Sequence, residues 1–542
     1  MIVYMNDRKG SIMNFNIQPL SFNTQNVRFK SNLSTNQPKN SDFERTPKHD
    51  SFTMSVGYVN DIHGQTNNMM RILSGIKGDL KLSAGDNDIG DEKNDAIHRA
   101  TTKFLNIADI KGSALGNHEL DTTQKDCIDS INAFNGDMLA INFNQEDLES
   151  QDEDEVAKYG RAELEKNLKK SSVVEVNGEK IGLIGASPMD MFARLTHPNY
   201  YKDCSVEDLD DTIELIQDKI DDLKEQGVNK IFLLSHLGHS RDKIVAQSID
   251  GVDVIIGGHT HELLKDIKEG ENLLYSKNGE PVILTEAGKD GNYFGLLNLT
   301  FDKNGVITKA KNNLGDTRLF YKNMINQYVF DDILGKPEKV GYVKQAPPPP
   351  ANLTEENAHA NFVCDALRKK TNSDIALWHH SGIRNFFHQG LIDSRDIKDM
   401  APFLDYVVTA EVSEKTIVDA FNKAIKDTYS SPSRKPGLFA VSGLNYTVDI
   451  NNKKLTEMNF IDKDGIEHEI DVENPDPNKK YKVVTDEFLM SAGADYNILA
   501  EEDKYIEKYP YDKDVLTCEY IKELGEPIII DQVGRIKFEN DD

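Results

Sequence analysis

From Thr53 onward, short apolar runs end in polar, glycine-containing turns and alternate with longer amphipathic stretches. The runs TMSVGYVND, GDLKLSAGD, KGSALGNHE, EKIGLIGAS, NKIFLLSHLG and VDVIIGGHTH each contain Val, Ile or Leu. Each has about the length of a buried strand. Between two of them, Val206 to Gly227 repeats Leu and Ile at three- and four-residue intervals, which predicts an amphipathic helix. Strands and helices alternating in this way predict an α/β layered domain.

The texture breaks twice. Residues 1–52 are rich in Asn, Ser, Thr and Gln and lack a continuous apolar stretch, so they read as a disordered leader without a secretory signal. Met5 and Met13 are further candidate starts. The cytoplasm is then the default location, with export by another route left open. The second break is QAPPPPAN, Gln345 to Asn352, where consecutive prolines behave as a stiff spacer. A linker is therefore expected over 336–352, dividing a domain at 53–335 from one at 353–542. The latter has ENAHANFVCDALRKK as a helix and LFAVSGLNYTVDI and YKVVTDEFL as strands, an α+β texture. The run from Glu146 to Glu155, seven acids in ten positions, reads as a solvated insertion.

Charge narrows the partners. In 542 residues, 63 Lys and Arg face 91 Asp and Glu, a formal charge of −28. Such a surface argues against coating a polynucleotide or an anionic membrane, because both recruit basic patches. No stretch approaches the roughly 18 apolar residues of a spanning helix. The four cysteines, Cys127, Cys204, Cys364 and Cys518, are too scattered for a zinc-finger pattern.

The polar residues that carry chemistry end the apolar runs, where open α/β sheets bind ligands. They are Asp61 and His63 in NDIHG, Asp86 in AGDND, Asn117 and His118 in LGNHELD, His236 in LSHLG, and His259 and His261 in GGHTH. If each strand delivers its side chains to one edge, these residues converge. Imidazole, carboxylate and amide donors without thiolate suit Mn, Zn, Fe or Co. Two such ions about 3.5–4 Å apart clamp a phosphoryl group and acidify water. Asp121, three residues after His118, is close enough to orient its imidazole. His98, His197 and His239 have no such context and read as surface or supporting residues.

In this order, NDIHG, GD, GNHELD, SHLG and GGHTH resemble the motifs of the calcineurin-like metallophosphoesterases, specifically the 5′-nucleotidase family, over Thr53 to Phe538. The resemblance implies a four-layer α-β-β-α metallophosphoesterase domain followed by an α+β substrate-binding domain. It also implies a ligand partition. Asp61, His63, Asp86 and His261 would hold one divalent ion, and Asp86 would bridge to a second held by Asn117, His236 and His259. His118 and Asp121 would form a dyad stabilising the transferring phosphoryl group or the leaving oxygen.

In the second domain, HHSGIRN resembles the family's NGGGIR loop, with Arg384 in the phosphate-reaching place and His379 where Asn is usual. APFLD resembles PFxN, with Asp405 replacing Asn. GLFAVSG and SAGADYN resemble the loops that stack the base, and so nominate Phe439 and Tyr496. A hinge near Gly335 to Asn352 would let the domains rotate.

The implied activity is a nucleotide hydrolase, first a 5′-nucleotidase that releases nucleoside and phosphate by metal-hydroxide attack. Alternatives are a 2′,3′-cyclic-nucleotide phosphodiesterase with 3′-nucleotidase activity, a nucleotide-sugar (UDP-sugar) hydrolase, and a thiosulfate-ester hydrolase. A decayed nucleotide-binding module is the non-enzymatic alternative.

Overall fold

The computed structural model describes residues 43–44, 51–89, 95–195, 198–322, 324–350, 352–403, 405–430, 437–491, 499, 505–525 and 527–539. Two sheets organise the first lobe. In the seven-stranded one, Phe52–Val59, Leu80–Ser83, Gly112–Ala114 and Asp137–Leu139 run parallel. The antiparallel strands Tyr293–Phe301 and Ile307–Asp316 extend it on the other side. The six-stranded sheet is built on parallel Glu179–Ala186, Ile231–Ser235, Val254–Gly257 and Pro281–Thr285.

Parallel strands covered on both faces need near-continuous apolar sequence, and IFLLS and VIIG are buried at every position. Val56, Leu82 and Ala114 of the first sheet share one core with Leu183, Leu234 and Ile256 of the second, so the sheets pack face to face. Outside the first sheet, Met69, Met70 and Phe104 of helices Thr66–Gly75 and Asp95–Ala108 pack on Val59. Outside the second, Ile216, Ile220 and Leu223 of helix Leu209–Glu225 cover Ile184, Leu233 and Ile255. These are the four layers α-β-β-α. Each buried aliphatic side chain stabilises the stack by about 1.5–3 kcal/mol. Helix Leu209–Glu225 falls inside the amphipathic stretch at 206–227 and starts where Asp208 accepts the backbone N–H of Asp211 at 3.0 Å.

The second lobe centres on a five-stranded sheet in the order Phe439–Ser442, Ile375–His379, Lys480–Asp486, Tyr406–Ser413, Tyr505–Asp512. Helices Ala358–Thr371 and Lys513–Leu524 cover one face, with Phe362, Leu367 and Ile521 against Trp378 and Ala440. Helix Glu414–Ser430 covers the other, with Ile417 and Phe421 against Leu377 and Val441. The apolar run LFAVSGLNYTVDI forms two strands in different sheets, Phe439–Ser442 and Leu444–Asp449. Gly443 makes the break at φ +82, where an added Cβ would lie 2.3 Å from the Asp374 carbonyl oxygen.

Part of the span expected to be linker is a strand. Lys339–Gln345 pairs with Gly390–Asp393 and Ile528–Ile529, because Val340 and Val343 enter the second lobe's core before the prolines begin. Of the expected leader, Phe43–Glu44 pairs with Ala310 and Lys309, and most of the remainder lies outside the described residues.

The lobes meet at the N-terminus of helix Thr66–Gly75, whose N-cap residue Gln65 provides no side-chain cap. Asp399 of the second lobe supplies one. Its Oδ2 accepts the Asn67 backbone N–H at 2.8 Å, its Oδ1 accepts the Thr66 hydroxyl at 3.1 Å, and its carbonyl accepts Gln65 Nε2 at 2.8 Å. Arg395 adds a hydrogen bond to Asp331 at 2.9 Å and one to the Gly335 carbonyl at 2.8 Å. Among the described residues, no helix is long and apolar enough to cross a membrane.

Candidate active site

The turns after the parallel strands of both sheets converge on one point. Phe52–Val59 leads to Asp61 and His63, Leu80–Ser83 to Asp86, and Gly112–Ala114 to Asn117 and His118. From the other sheet, Ile231–Ser235 leads to His236 and Val254–Gly257 to His259 and His261. Ligand atoms of Asp61, His63 and His261 lie within 4.8 Å of one another, as do those of Asp86, His236 and His259. Asp86 and His63 also group with His118, so Asp86 stands between the clusters.

The backbone bends sharply to achieve this. Asp61, His63, Asp86, His259, His261 and Asp290 are six of the ten non-glycine residues with positive φ among those described. Such left-handed residues cost of order 1–3 kcal/mol each, and they gather at functional sites where the surroundings over-determine them. Gly116 is required for closeness. A Cβ there would lie 2.2 Å from Asp86 Oδ1, the atom that accepts the His118 backbone N–H at 2.8 Å.

Hydrogen bonds aim the rings. His63 Nδ1 is 2.9 Å from Asp290 Oδ1 and His236 Nδ1 is 2.6 Å from the Ala84 carbonyl. Neither Nε2 makes a hydrogen bond of regular geometry, although His236 Nε2 lies 3.0 Å from Asp86 Oδ2, and Asn117 Oδ1 is buried without a partner. His259 Nε2 is 3.0 Å from Asp190, leaving Nδ1 as its other donor atom. Orphaned nitrogens and an orphaned amide oxygen beside two carboxylates are what a pair of divalent ions would satisfy, and the donor set fits them.

The electrostatics agree. Burial disfavours charge on Asp61, yet His261 and His236 hold it at about 2. Burial outweighs the pull of Asp61 and brings His261 down to about 4, so its ring is uncharged at neutral pH. Burial likewise opposes charge on His236, but Asp86 and Asp61 lift it to about 10. Those two carboxylates therefore demand a cation at this point.

His118 and Asp121 bond to each other through Nδ1 and Oδ2. Burial works against an imidazolium here, and the carboxylates of Asp121 and Asp86 overcome it, raising His118 to about 9. Arg384, from the second lobe, places Nη1 3.7 Å from Asp290 Oδ1 and its guanidinium 5.2 Å from the Phe403 ring centroid. Its Nε is buried without a partner. The loop resembling NGGGIR thus faces the cluster.

The base-stacking expectation for Phe439 is corrected. Its ring is fully buried against Phe421 in the second lobe's core, because strand alternation turns residues 439 and 441 toward helix Glu414–Ser430. Tyr496 and His197 lie outside the described residues. His379 is buried beside Phe488, with ring centroids 5.6 Å apart. His98 is buried and bonded to Asp88, and His239 opens helix His239–Ser248.

Three carboxylates escaped the sequence reading. Asp290 orients His63, and Asp190 contacts His259. Glu119 ties two turns together by accepting the backbone N–H of Asp86 at 3.0 Å, Asn87 at 2.8 Å and Gly116 at 2.9 Å. Burial, with Asp86 nearby, raises its pKa to about 7. The strand-end rule could have nominated Asp190, after Glu179–Ala186, and Asp290, after Pro281–Thr285.

Residues 54–263 match the family described as calcineurin-like phosphoesterase, and residues 339–501 match that described as 5′-nucleotidase, C-terminal domain. The chain carries a calcineurin-like phosphoesterase domain followed by a 5′-nucleotidase C-terminal domain. It is thereby a hydrolase of the metal-dependent phosphoesterase class, a family with a dimetal centre.

A trifunctional nucleotide phosphoesterase protein, YfkN of Bacillus subtilis, is 25% identical over 91% of this chain, which spans 35% of that protein's length. A 5′-nucleotidase of Diplobatis ommata is 27% identical over 80% of this chain and 77% of its own. Among solved structures, a 5′-nucleotidase precursor from Thermus thermophilus shares the fold at a TM-score of 0.66 with 22% identity, over 91% of this chain and all of that one. The fold alone is also shared with the sulfate thiohydrolase SoxB from the same organism, at a TM-score of 0.63 with 14% identity, over 90% and 97%.

Proposed function

We propose that the chain hydrolyses nucleotide phosphoesters, nucleoside 5′-monophosphates first, at two divalent ions drawn from Mn, Zn, Co and Fe. Asp61, His63, Asp86 and His261 would hold one ion, and Asp86, Asn117, His236 and His259 the other. The observation that carries this reading is the convergence of those seven side chains from five strand ends, with three orphaned donor atoms among them. Two bound ions supply electrophilic polarisation of a phosphoryl oxygen and acidify water.

The chain's own groups do the rest. Asp121 accepts from His118 Nδ1, and the imidazolium that Asp121 and Asp86 favour carries its second proton on Nε2, available to the leaving oxygen or to charge on the phosphoryl group. Asn117 offers its amide beside the phosphoryl group. Arg384 brings a permanent positive charge from the second lobe and binds the substrate's phosphate. Asp61, Asp86, Glu119, Asp121, Asp190 and Asp290 are the six of the 91 acids that stand at this centre, so a surplus of 28 negative charges is compatible with an anionic substrate.

Cyclic 2′,3′-phosphodiesterase and 3′-nucleotidase activity is a second reading, favoured by the similarity to a protein named a trifunctional nucleotide phosphoesterase over 91% of the chain. A panel of AMP, 3′-AMP, cyclic 2′,3′-AMP and UDP-glucose, each run with Mn, Zn, Co and Fe(II), separates them. Phosphate release fastest from AMP supports the first reading. Release from 3′-AMP and the cyclic ester, with AMP inert, replaces it by the second.

A further inference from the structure

A cavity of ≈ 840 Å³ opens beside His261, lined by Arg71, Lys289 and Tyr293 from the first lobe and by His380 and the prolines at 347–350 from the second. It is large for a nucleoside monophosphate and lies within the range of pockets that enclose whole ligands, about 300–1,000 Å³.

Its charge is opposite to that of the chain. Arg71, Lys289 and Arg318 line it together with a single carboxylate, Asp290, although the protein as a whole carries −28. Asp290 is engaged by His63 at 2.9 Å, Lys289 at 3.4 Å and Arg384 at 3.7 Å. Arg318 is held by Asp316, with Nε 2.9 Å from Oδ1. Arg71 is different. Its Nη1 donates to a neutral amide, Asn68 Oδ1, at 3.1 Å, and among the described residues no carboxylate pairs with it.

The second observation is His380. It is 1% exposed, lines the cavity, and neither ring nitrogen has a hydrogen-bond partner of regular geometry, the Leu353 backbone being the polar group that stands near the ring. Burial brings it down to about 4, so at neutral pH it is an uncharged ring offering one donor and one acceptor. In HHSGIRN it also stands where the NGGGIR pattern has glycine. A buried imidazole left unpaired is costly unless something binds it.

The cavity is coupled to the metal ligands by a short chain of contacts. Asn68, which holds Arg71, donates its Nδ2 to the Asp290 carbonyl at 2.9 Å, and Asp290 Oδ1 holds His63 at 2.9 Å. The prolines lack N–H donors, and with Tyr293 they form an apolar wall suited to a nucleoside.

We infer that this cavity is a second phosphate subsite, in which Arg71 and His380 bind a phosphate on the leaving group of a substrate whose other phosphate lies at the metal centre. The inference rests on the nucleotidase reading above and sharpens it: the favoured substrate is a bisphosphorylated nucleoside. An arginine fork matches a phosphate bidentately, and the neutral His380 adds a directional hydrogen bond.

The test compares kcat/KM for adenosine 3′,5′-bisphosphate and AMP with the Mn-loaded full chain. Wild type should prefer the bisphosphate at least tenfold. Arg71→Gln and His380→Ala should each lower that ratio at least tenfold, and Arg71→Lys, which keeps the charge but loses the fork, should restore part of it. Calorimetric binding of the two nucleotides to the metal-free protein should show the same preference, lost in the same variants. A wild-type ratio near one with AMP turned over overturns the subsite alone. An equal fall for both substrates in the variants overturns it too, because a merely structural role would act on both. Failure to hydrolyse either nucleotide, with two ions bound, overturns the nucleotidase reading and the subsite with it.

Discussion

Asp290 accepts a hydrogen bond from His63 Nδ1 at 2.9 Å, which turns Nε2 toward Asp61 and Asp86, 3.9 and 3.7 Å away. Both residues have left-handed backbone, at φ 56 and φ 51. Burial disfavours the Asp290 carboxylate, but Lys289, His63 and Arg384 hold its pKa well below the usual range. One carboxylate therefore orients His63 of the first lobe and meets Arg384 of the second.

Removing that carboxylate should loosen the metal centre without unfolding the chain. A carboxylate that holds the far nitrogen of a ligating histidine is typically worth about 10–100-fold in metal affinity. Asp290→Ala should weaken Mn binding by that factor in calorimetric titration. Affinity equal to wild type would show that His63 is oriented by something else.

Gly116→Ala tests the closeness of the two turns. The added methyl would meet Asp86 Oδ1 at 2.2 Å and the Asp86 backbone N at 2.5 Å, so the Asp86 carboxylate must move. The variant should retain its circular dichroism spectrum while losing at least about tenfold in metal affinity. Unchanged binding would mean that Asp86 does not occupy the bridging place.

The site was legible because its chemistry is local in sequence. NDIHG, GNHELD and GGHTH each deliver a ligand within a few residues of a strand end, and the strands announce themselves as apolar runs. Asp290, Asp190 and Glu119 act through long-range contacts or through backbone, and a carboxylate in a polar turn looks the same whether or not a histidine lies across from it. Phe439 was misplaced for a related reason. The motif gives the residue type, but only the pairing of its strand with Ile375–His379 decides which face it shows, and here that face is core. The strand at Lys339–Gln345 was hidden by its proline neighbours, although Val340 and Val343 carry its apolar signal.

Asp399 predicts a pH effect on the contact between lobes. Burial lifts its pKa to about 7, above the unfolded value of about 3.9. The folded state then holds a proton that the unfolded state has released. This contribution is complete below about pH 4 and is lost as pH rises through about 7. Asp399→Asn does not ionise, keeps one oxygen to accept the Asn67 N–H, and can donate its amide N–H to the Thr66 hydroxyl oxygen. Its stability should fall less between pH 5 and pH 8 than that of wild type, by about 1–4 kcal/mol in urea denaturation. Parallel profiles would contradict the assignment.

The ion pair between Lys513 and Asp486, at 2.9 Å, lies against the Trp378 ring, 5.6 Å from Lys513 Nζ to its centroid, with both side chains about 2% exposed. Breaking one side of a buried pair costs about 3–5 kcal/mol. Lys513→Met should destabilise by that amount, and adding Asp486→Asn, which retains an acceptor for the Leu489 N–H, should recover part of it. If the double variant is no more stable than the single one, the uncompensated charge is not the cause.

The central claim is that Asp61, His63, Asp86, Asn117, His236, His259 and His261 hold two ions that this chain uses to cleave a nucleotide phosphoester. Phosphate release from AMP, measured with chelator-stripped protein before and after titration with Mn, tests it most directly. Release should be absent at first, rise until two ions are bound per chain, and stay about a hundred- to a thousandfold lower in Asp86→Ala and His118→Ala, the scale on which removing a transition-state stabilising group acts. Release undiminished by the chelator, or full activity in either variant, would contradict it.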